Sequence, residues 1–313
     1  MTPQRSSGKI YLAEPRGFCA GVRRALDTVE QALSSYATPI YVFHEIVHND
    51  FVVNELKKRG VIFVENIASV PVGSILILSA HGASAEVEKE AAKRGLKLID
   101  ATCPLVKRIH TKAEKLHNSG VGIYLIGHRG HPEVTGTMGR IDNKGVVIEN
   151  ELEAAALARP ENDRRHACLT QTTLSADDTA DIVKALKQVI PQLETIESIC
   201  YATKNRQEAV KKLGGVCDDI IVIGSAKSSN SNRLRETAEK AGTRAILINC
   251  ANDLPEDIFN SSTNIGITAG ASAPEYLVNE LIALLEKHGR EFAGSIVVDQ
   301  EHLSFKLPPF PES

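Results

Sequence analysis

The chain lacks several features by which whole classes of protein are recognised. It has no Trp, and aromatic residues make up only 4% of its 313 residues, so platforms that stack single-stranded nucleic acid are not expected. The formal net charge is −3, and no long basic run occurs, which argues against a protein that binds a phosphate backbone. We therefore expect no nucleic-acid partner.

Long hydrophobic runs are also missing. No apolar stretch approaches the length that spans a membrane, and the first fifteen residues contain no apolar segment typical of a secretory signal. The sequence therefore predicts a cytoplasmic protein with no membrane partner.

The six cysteines fit none of the common frameworks. A cytoplasmic chain is not expected to use them as a disulfide scaffold. No CxxC occurs anywhere, which excludes the spacing of zinc fingers and of bacterial ferredoxins. Only the sequence around each cysteine can therefore indicate what it does.

Three of the cysteines lie at equivalent positions of an internal repeat. Cys19, Cys103 and Cys200 each end an apolar strand and precede an amphipathic helix. Each helix leads to a β-rich run with a polar end: His48 lies 29 residues after Cys19, and His131 and Ser228 each lie 28 residues after their cysteines. The period of roughly ninety residues is longer than that of solenoids and indicates three similar modules.

The repeat predicts an α/β fold of three modules in a pseudo-threefold trefoil. Strands that alternate with helices form parallel sheets, and ligands bind at the carboxyl ends of such strands. We expect modules at 20–103, 104–200 and 201–290, the last completed by an N-terminal strand within 8–19. Residues 291–313 are expected to form a short edge hairpin and a Pro-rich tail.

Three thiolates from three modules suit an iron–sulfur cluster at the centre of the trefoil. A [4Fe–4S] cluster held by three cysteines leaves one iron open to substrate, whereas a structural cluster normally has four. Zinc with three cysteines is the alternative metal, and ordinary buried thiols are the alternative without a metal. For Cys168, Cys217 and Cys250, which lie in or beside apolar strands, we expect ordinary thiols.

Polar loops at repeat-equivalent positions indicate an anion site. Imidazoles, hydroxyls, amides and helix N-termini suit phosphate, although SSNSNRL taken alone would be an ordinary helix cap. The acid among these positions is Glu133, which gives a proton route together with a nearby hydroxyl. No Walker loop or GxGxxG follows a strand, so a nucleotide is not expected. The candidate residues are His48, His81, His131, Glu133, Thr172, Ser228, Ser229, Asn230 and Ser272.

Nine motifs in order resemble one known family. They are EPRGFCAGV, HEIVHN, SAHGAS, DATCPLV, GHRGHPEV, TQTTLS, ICYATKNRQEAV, SSNSNRL and TAGASAP. Together they resemble the 4-hydroxy-3-methylbut-2-enyl diphosphate reductase (IspH or LytB) family over about residues 10–280. The resemblance implies a [4Fe–4S] cluster on Cys19, Cys103 and Cys200. It implies diphosphate contacts at His48, His81, His131, Ser228, Ser229, Asn230 and Ser272, and a proton relay at Glu133 and Thr172, with Thr173 adjacent.

The implied reaction is a reductive dehydroxylation of an allylic diphosphate. Two electrons and two protons would remove the hydroxyl as water and give isopentenyl and dimethylallyl diphosphate, with ferredoxin or flavodoxin as the expected electron donor. Three other readings remain open from the residues: an iron–sulfur hydro-lyase acting on a phosphorylated substrate, a non-enzymatic cluster sensor, and a zinc module.

Overall fold

The structure is a computed structural model that describes residues 8–160, 164–260 and 263–312. Short parts of the predicted second and third modules, 161–163 and 261–262, and the last residue of the predicted tail therefore lie outside the described residues.

The described chain alternates strands and helices, as the repeat predicts. The strands are β1 (Lys9–Glu14), β2 (Ile40–Phe43), β3 (Val61–Val64), β4 (Ile75–Leu78), β5 (Lys97–Asp100), β6 (Gly122–Ile126), β7 (Val146–Ile148), β8 (His166–Thr170), β9 (Glu194–Thr195), β10 (Asp219–Ile223), β11 (Arg244–Ile248), β12 (Ile265–Ala269) and β13 (Glu291–Val297). The helices are α1 (Ala20–Ser35), α2 (Asp50–Lys58), α3 (Ala85–Lys93), α4 (Pro104–Asn118), α5 (Pro132–Gly139), α6 (Glu151–Ala155), α7 (Ala176–Val189), α8 (Tyr201–Gly214), α9 (Ser229–Lys240), α10 (Glu256–Asn260) and α11 (Glu275–Lys287).

The strands form three parallel sheets with one repeated strand order. The sheets read β3-β2-β4-β5, β7-β6-β8-β9 and β11-β10-β12-β1-β13, and every strand pairing in them is parallel. We call β5, β9 and β1 the fourth strands and β4, β8 and β12 the third strands of their sheets. The predicted three-module α/β fold is confirmed, while the exact module boundaries stay predictions.

Local sequence explains why the central strands and the helix starts form where they do. The strands β4, β6, β8, β10 and β12 are buried along their whole length, as expected for central strands covered on both faces. Several helices begin at a serine whose side chain accepts a backbone N–H, which stabilises the first turn; examples are Ser84, Ser175 and Ser228.

The described chain divides into two compact units. The first comprises the described parts of Met1–Cys19, His48–Val52 and Tyr201–Leu303, and the second comprises those of Ala20–Val47, Val53–Cys200 and Ser304–Ser313. Aliphatic side chains of β10, β12 and α11 form a large core in the first unit. The second unit has separate cores around the sheet of β2–β5 and around both faces of the sheet of β6–β9.

The C-terminal segment differs from the expected hairpin. The strand β13 is an edge strand, but it pairs in parallel with β1, from Lys9 opposite Glu291 to Glu14 opposite Val297. Residues 298–312 contain no helix or strand. The expectation of a hairpin was wrong because a parallel partner far away in sequence leaves no local signature.

Candidate active site

The three repeat cysteines have one backbone environment in common. Each follows the fourth strand of its sheet and donates its N–H to a carbonyl in the loop after the third strand. The bond runs from Cys19 to Ala271 O at 3.3 Å, from Cys103 to Ala80 O at 3.0 Å, and from Cys200 to Thr172 O at 3.1 Å. The repeat seen in the sequence is therefore also a repeat of hydrogen bonds.

The turn before Cys19 requires its glycine. Gly17 has a φ of +62°, and a Cβ built there would lie 3.2 Å from the carbonyl oxygen of Ala273. Its N–H donates to Ala269 O at 3.0 Å. Glycine adopts this left-handed conformation without strain, so the GFC part of the motif shapes the turn that carries the cysteine.

In the first unit, four predicted residues belong to one connected group. The Ser272 hydroxyl donates to the backbone carbonyl of His48 at 3.0 Å. The Asn230 Oδ1 accepts the N–H of Ala271 at 2.9 Å, and Cys19 binds the carbonyl of the same Ala271. We call His48, Asn230 and Ser272 the amide set. Because Oδ1 is already an acceptor here, the Asn230 amide group is the part that could donate to an anion.

The serines at the start of α9 have a structural role as well. The Ser228 hydroxyl accepts the N–H of Ser231 at 3.3 Å and caps the helix. Ser229 is the first residue of that helix. The ordinary capping interpretation of SSNSNRL is therefore confirmed for Ser228, while a role in anion binding stays a prediction.

In the second unit, a buried carboxyl lies at the centre of the predicted group. Glu133, in the first turn of α5, is only 2% exposed. Its Oε1 accepts the N–H of Thr172 at 2.7 Å, and its Oε2 accepts the Thr172 hydroxyl at 2.9 Å. Burial raises the pKa of Glu133 to about 7, although both hydrogen bonds from Thr172 act to lower it.

Two histidines extend this group, one through the backbone of Glu133 and the other through a ring contact. His131 caps α5, and its Nδ1 accepts the Glu133 N–H at 3.2 Å, so a neutral His131 carries its proton on Nε2. The His81 ring packs edge-on against the His131 ring, with centroids 5.6 Å apart. We call His81, His131, Glu133 and Thr172 the acid set. Cys200 joins it through the carbonyl of Thr172, and Cys103 bonds to Ala80, next to His81.

Sequence reasoning missed several residues that shape this region. Gln171 accepts the N–H of His128 at 3.1 Å and donates to the Thr173 hydroxyl at 2.8 Å; its place inside TQTTLS was the available signal. Arg24 and Arg206 donate to backbone carbonyls next to two of the cysteine turns. Charged residues on amphipathic helices normally face water, so the sequence carried no signal for these two.

Two of the other cysteines differ in environment from the repeat cysteines, while Cys250 is partly buried as they are. Cys168 and Cys217 are buried, and burial raises the pKa of each thiol to about 12. Such thiols are protonated at neutral pH and lack the thiolate form that reacts and binds metals. Cys19, Cys103 and Cys200 are only partly buried and are not in disulfides, so their donor chemistry fits a thiolate-bound group.

The described residues do not form a conventional single-ion site. Over 8–160, 164–260 and 263–312, no three His, Cys, Asp or Glu side chains are gathered to hold one metal ion. An iron–sulfur cluster binds its thiolates through different iron atoms, and the convergence of the three cysteines on such a cluster stays a prediction.

The fold and the site define the class of α/β enzymes whose reactive side chains follow the carboxyl ends of parallel strands. None of the described helices is both long and apolar enough to cross a membrane. The model of the family described as LytB protein matches residues 10–286, and the chain belongs to this family.

Named relatives and solved structures are similar over nearly the whole chain. A 4-hydroxy-3-methylbut-2-enyl diphosphate reductase of Methylibium petroleiphilum is 48% identical and covers 97% of this chain and 93% of its own length. The enzyme of that name from Methylococcus capsulatus is also 48% identical, over 96% of this chain and 97% of its own. The structure of the E-1-hydroxy-2-methyl-but-2-enyl-4-diphosphate reductase from Plasmodium falciparum superposes with a TM-score of 0.93 at 40% identity, covering 96% of each chain.

Proposed function

We propose that the chain reduces 4-hydroxy-3-methylbut-2-enyl diphosphate to isopentenyl and dimethylallyl diphosphate, the last step of the methylerythritol phosphate pathway. The observation that carries the proposal is the repeated cysteine turn, in which three partly buried thiols occupy equivalent positions of three sheets. Relatives of that name at 48% identity over almost the full chain support it.

The cofactor in this proposal is a [4Fe–4S] cluster held by Cys19, Cys103 and Cys200. Three thiolate ligands leave one iron without a protein ligand. When bound, the cluster would supply the electrons and a Lewis-acidic iron for the substrate hydroxyl. Ferredoxin or flavodoxin would deliver the electrons to it.

Neutral donors would hold the diphosphate. Imidazole, hydroxyl and amide groups donate strong hydrogen bonds to an anion and do not require a general positive field, in keeping with the net charge of −3. The N-terminus of α9 adds backbone N–H groups and the positive end of a helix dipole. The proposed contacts are His48, His81, His131, Ser228, Ser229, Asn230 and Ser272.

Glu133 would supply protons from within the acid set. A carboxyl whose pKa is about 7 holds a proton at neutral pH and can still release it, which suits a general acid. The Thr172 hydroxyl holds one oxygen of this carboxyl and would pass the proton on or orient the substrate hydroxyl. His131 would fix the diphosphate through Nε2–H while its Nδ1 holds the backbone of Glu133.

The reaction balances with two electrons and two protons. One proton leaves with the allylic hydroxyl as water when the C–O bond breaks, and the bonding pair leaves with the oxygen. The two electrons from the reductant go to the allyl carbon skeleton, and the second proton forms the new C–H bond. Protonation at either end of the allyl system gives the two products.

Anaerobic purification, followed by assays with and without a reductant, tests the proposal. We expect a brown protein that contains iron and sulfide. The iron-57 Mössbauer signal of one iron should change when the diphosphate is added, and product should form only with reductant. Replacing Cys19, Cys103 or Cys200 by Ser should abolish the cluster, whereas Cys250→Ser, at a partly buried cysteine outside the repeat, should keep it.

Other outcomes would support the alternatives. Turnover without reductant would identify a hydro-lyase. A cluster whose spectrum ignores the diphosphate would identify a sensor, and a colourless protein with stoichiometric zinc would identify a zinc module.

A further inference from the structure

The C-terminal segment is fixed to the second unit through its backbone. The Tyr36 hydroxyl donates to Pro311 O at 2.5 Å, Lys97 Nζ donates to Glu312 O at 2.9 Å, and Arg24 Nε donates to Lys306 O at 2.8 Å. Pro308 is buried, and Phe305 and Phe310 are partly buried. Residues 304–312, which we call the C-terminal strap, therefore lie in a defined place although they form no helix or strand.

Arg24, which binds the strap, also binds the turn before Cys103. The guanidinium of Arg24 also donates from Nη1 to Thr102 O at 2.9 Å and from Nη2 to Asp100 O at 3.3 Å. Thr102 is the residue before Cys103, and Asp100 lies three residues before it. Arginine presents several donors in a rigid planar fork, so the strap and the turn are held by one side chain.

The turn itself is further stiffened from within. The Asp100 Oδ1 accepts the N–H of Thr102 at 3.0 Å, and its Oδ2 accepts Lys107 Nζ at 2.5 Å. These bonds orient the side of the turn that faces α4, while Arg24 holds its carbonyls. The backbone before Cys103 is thus restrained from two directions.

A second arginine has the same relation to the turn before Cys19 in the first unit. Arg206, only 1% exposed, donates from Nη2 and Nε to Gly17 O at 2.8 and 3.2 Å. Its Nη1 pairs with Glu301 at 2.9 Å, a residue shortly before the strap. In both cases an arginine on the helix after one repeat cysteine holds the turn before another and is itself held by the C-terminal part of the chain.

We infer that Arg24 is a positioning residue for the Cys103 thiolate and that the C-terminal strap holds Arg24 in place. The inference rests on the proposed role of Cys103 as a cluster ligand. Without the strap, Nε loses its carbonyl partner and the guanidinium turns to water. The turn then opens more often, and Cys103 becomes the first ligand to be lost from the cluster. Arg206 has the corresponding role for Cys19.

The test uses the full-length anaerobic holoprotein with an iron chelator and iodoacetamide. Iron release and the alkylation of each cysteine are followed by absorbance and peptide mass spectrometry. For Arg24→Gln we expect about tenfold faster alkylation of Cys103, with Cys19 and Cys200 within about twofold of the wild type. A tenfold change corresponds to about 1.4 kcal/mol, the size of one charge-assisted hydrogen bond.

Matched variants separate geometry from charge. Arg23→Gln removes the same charge from the neighbouring exposed position of α1 and should leave all three rates unchanged. Arg24→Lys keeps the charge but not the planar fork, so it should behave as Arg24→Gln does. Deletion of residues 304–313 should reproduce the Cys103 effect, and Arg206→Gln should shift the fastest labelling to Cys19.

The outcomes are distinct from those that test the proposed function. A wild-type protein that binds no cluster would contradict the function itself. A wild type with a cluster, combined with equal labelling of the three cysteines in Arg24→Gln, would overturn the positioning role. An equal rise at all three would also overturn it, because that pattern indicates general loosening. A truncated protein that retains iron as the wild type does would overturn the role of the strap.

Discussion

The acid set of the second unit and the amide set of the first unit differ in their chemical groups. The acid set places a carboxyl at 2% exposure with a pKa raised to about 7. The amide set has no carboxyl and is built from hydroxyl, amide and imidazole residues; Ser272 binds the backbone of His48, and Asn230 binds the backbone of Ala271. Under the proposed function, this difference predicts that the second unit carries out proton transfer and that the first unit supplies neutral binding donors.

The largest effect on turnover is expected from a change at Glu133, the carboxyl that distinguishes the acid set from the amide set. We expect Glu133→Gln to lower kcat by about a thousandfold, within the range that a general acid contributes, with little change in KM. The amide keeps the shape of the side chain and can still accept from Thr172, but it cannot release a proton. Steady-state kinetics with a fixed reductant measure the effect. Glu151→Gln, at an exposed position of α6, is the control, and near-normal turnover in Glu133→Gln would remove Glu133 from the mechanism.

The same carboxyl should make stability depend on pH. Its folded-state pKa of about 7 lies above the ordinary value of 4.5, so the native state binds the extra proton between these pH values. The stabilisation is complete below about pH 4.5, is lost as pH rises toward 7, and amounts to about 3 kcal/mol. Glu133→Gln lacks this dependence. The unfolding temperature of the wild type should therefore fall relative to that of the variant between pH 5 and pH 7.5, and parallel curves would contradict the burial argument.

The sequence predicted the parts of the fold that repeat. Apolar runs, amphipathic helices and polar loops recur three times, so three α/β modules and the cysteine at each strand end could be predicted from local pattern. The acid set followed in part, because Glu133 is the only acid among the repeat-matched positions of the polar loops. Its pairing with Thr172 joins residues 39 apart in the chain, which the residues alone did not specify and the family resemblance implied.

The sequence could not predict the features that depend on backbone carbonyl oxygens or on the pairing of strands far apart in the chain. The strand β13 pairs with β1 across almost the whole chain, and an apolar edge strand looks the same whichever partner it takes. Arg24 and Arg206 bind carbonyl oxygens, which every residue has. The Ser228 hydroxyl, predicted as a ligand, accepts a helix N–H, a role that uses one lone pair and leaves the hydroxyl proton for another acceptor.

Thr172 belongs to the acid set although it is not an acid, because its hydroxyl binds Glu133 and influences the pKa of that carboxyl. Its hydroxyl bond to Glu133 lowers the pKa of that carboxyl, so Thr172→Val should raise the pKa further. If protonated Glu133 is the active form, the rate of the wild type falls as pH rises through about 7, and in the variant the fall moves to higher pH. We expect kcat at neutral pH to drop about tenfold because the proton is held more tightly and the relay hydroxyl is gone. A pH profile of kcat measures both effects.

The control for this variant is Thr179→Val, which removes a buried hydroxyl that binds the backbone carbonyl of Ser175 in the same unit. An unchanged pH profile in Thr172→Val would mean that the Thr172 hydroxyl does not influence Glu133 in solution.

The smallest expected effect belongs to the amide set. The Ser272 hydroxyl donates to His48 O at 3.0 Å, so a bond to the diphosphate would replace this bond and the net gain from Ser272 would be small. Ser272→Ala should therefore raise KM by about fivefold and leave kcat within about twofold, the pattern of an interaction made equally in the ground and transition states. Ser295→Ala, at an exposed position of β13, is the control. A fall in kcat as large as that of Thr172→Val would show that the amide set takes part in the chemical step, and the division of labour between the two sets would then be wrong.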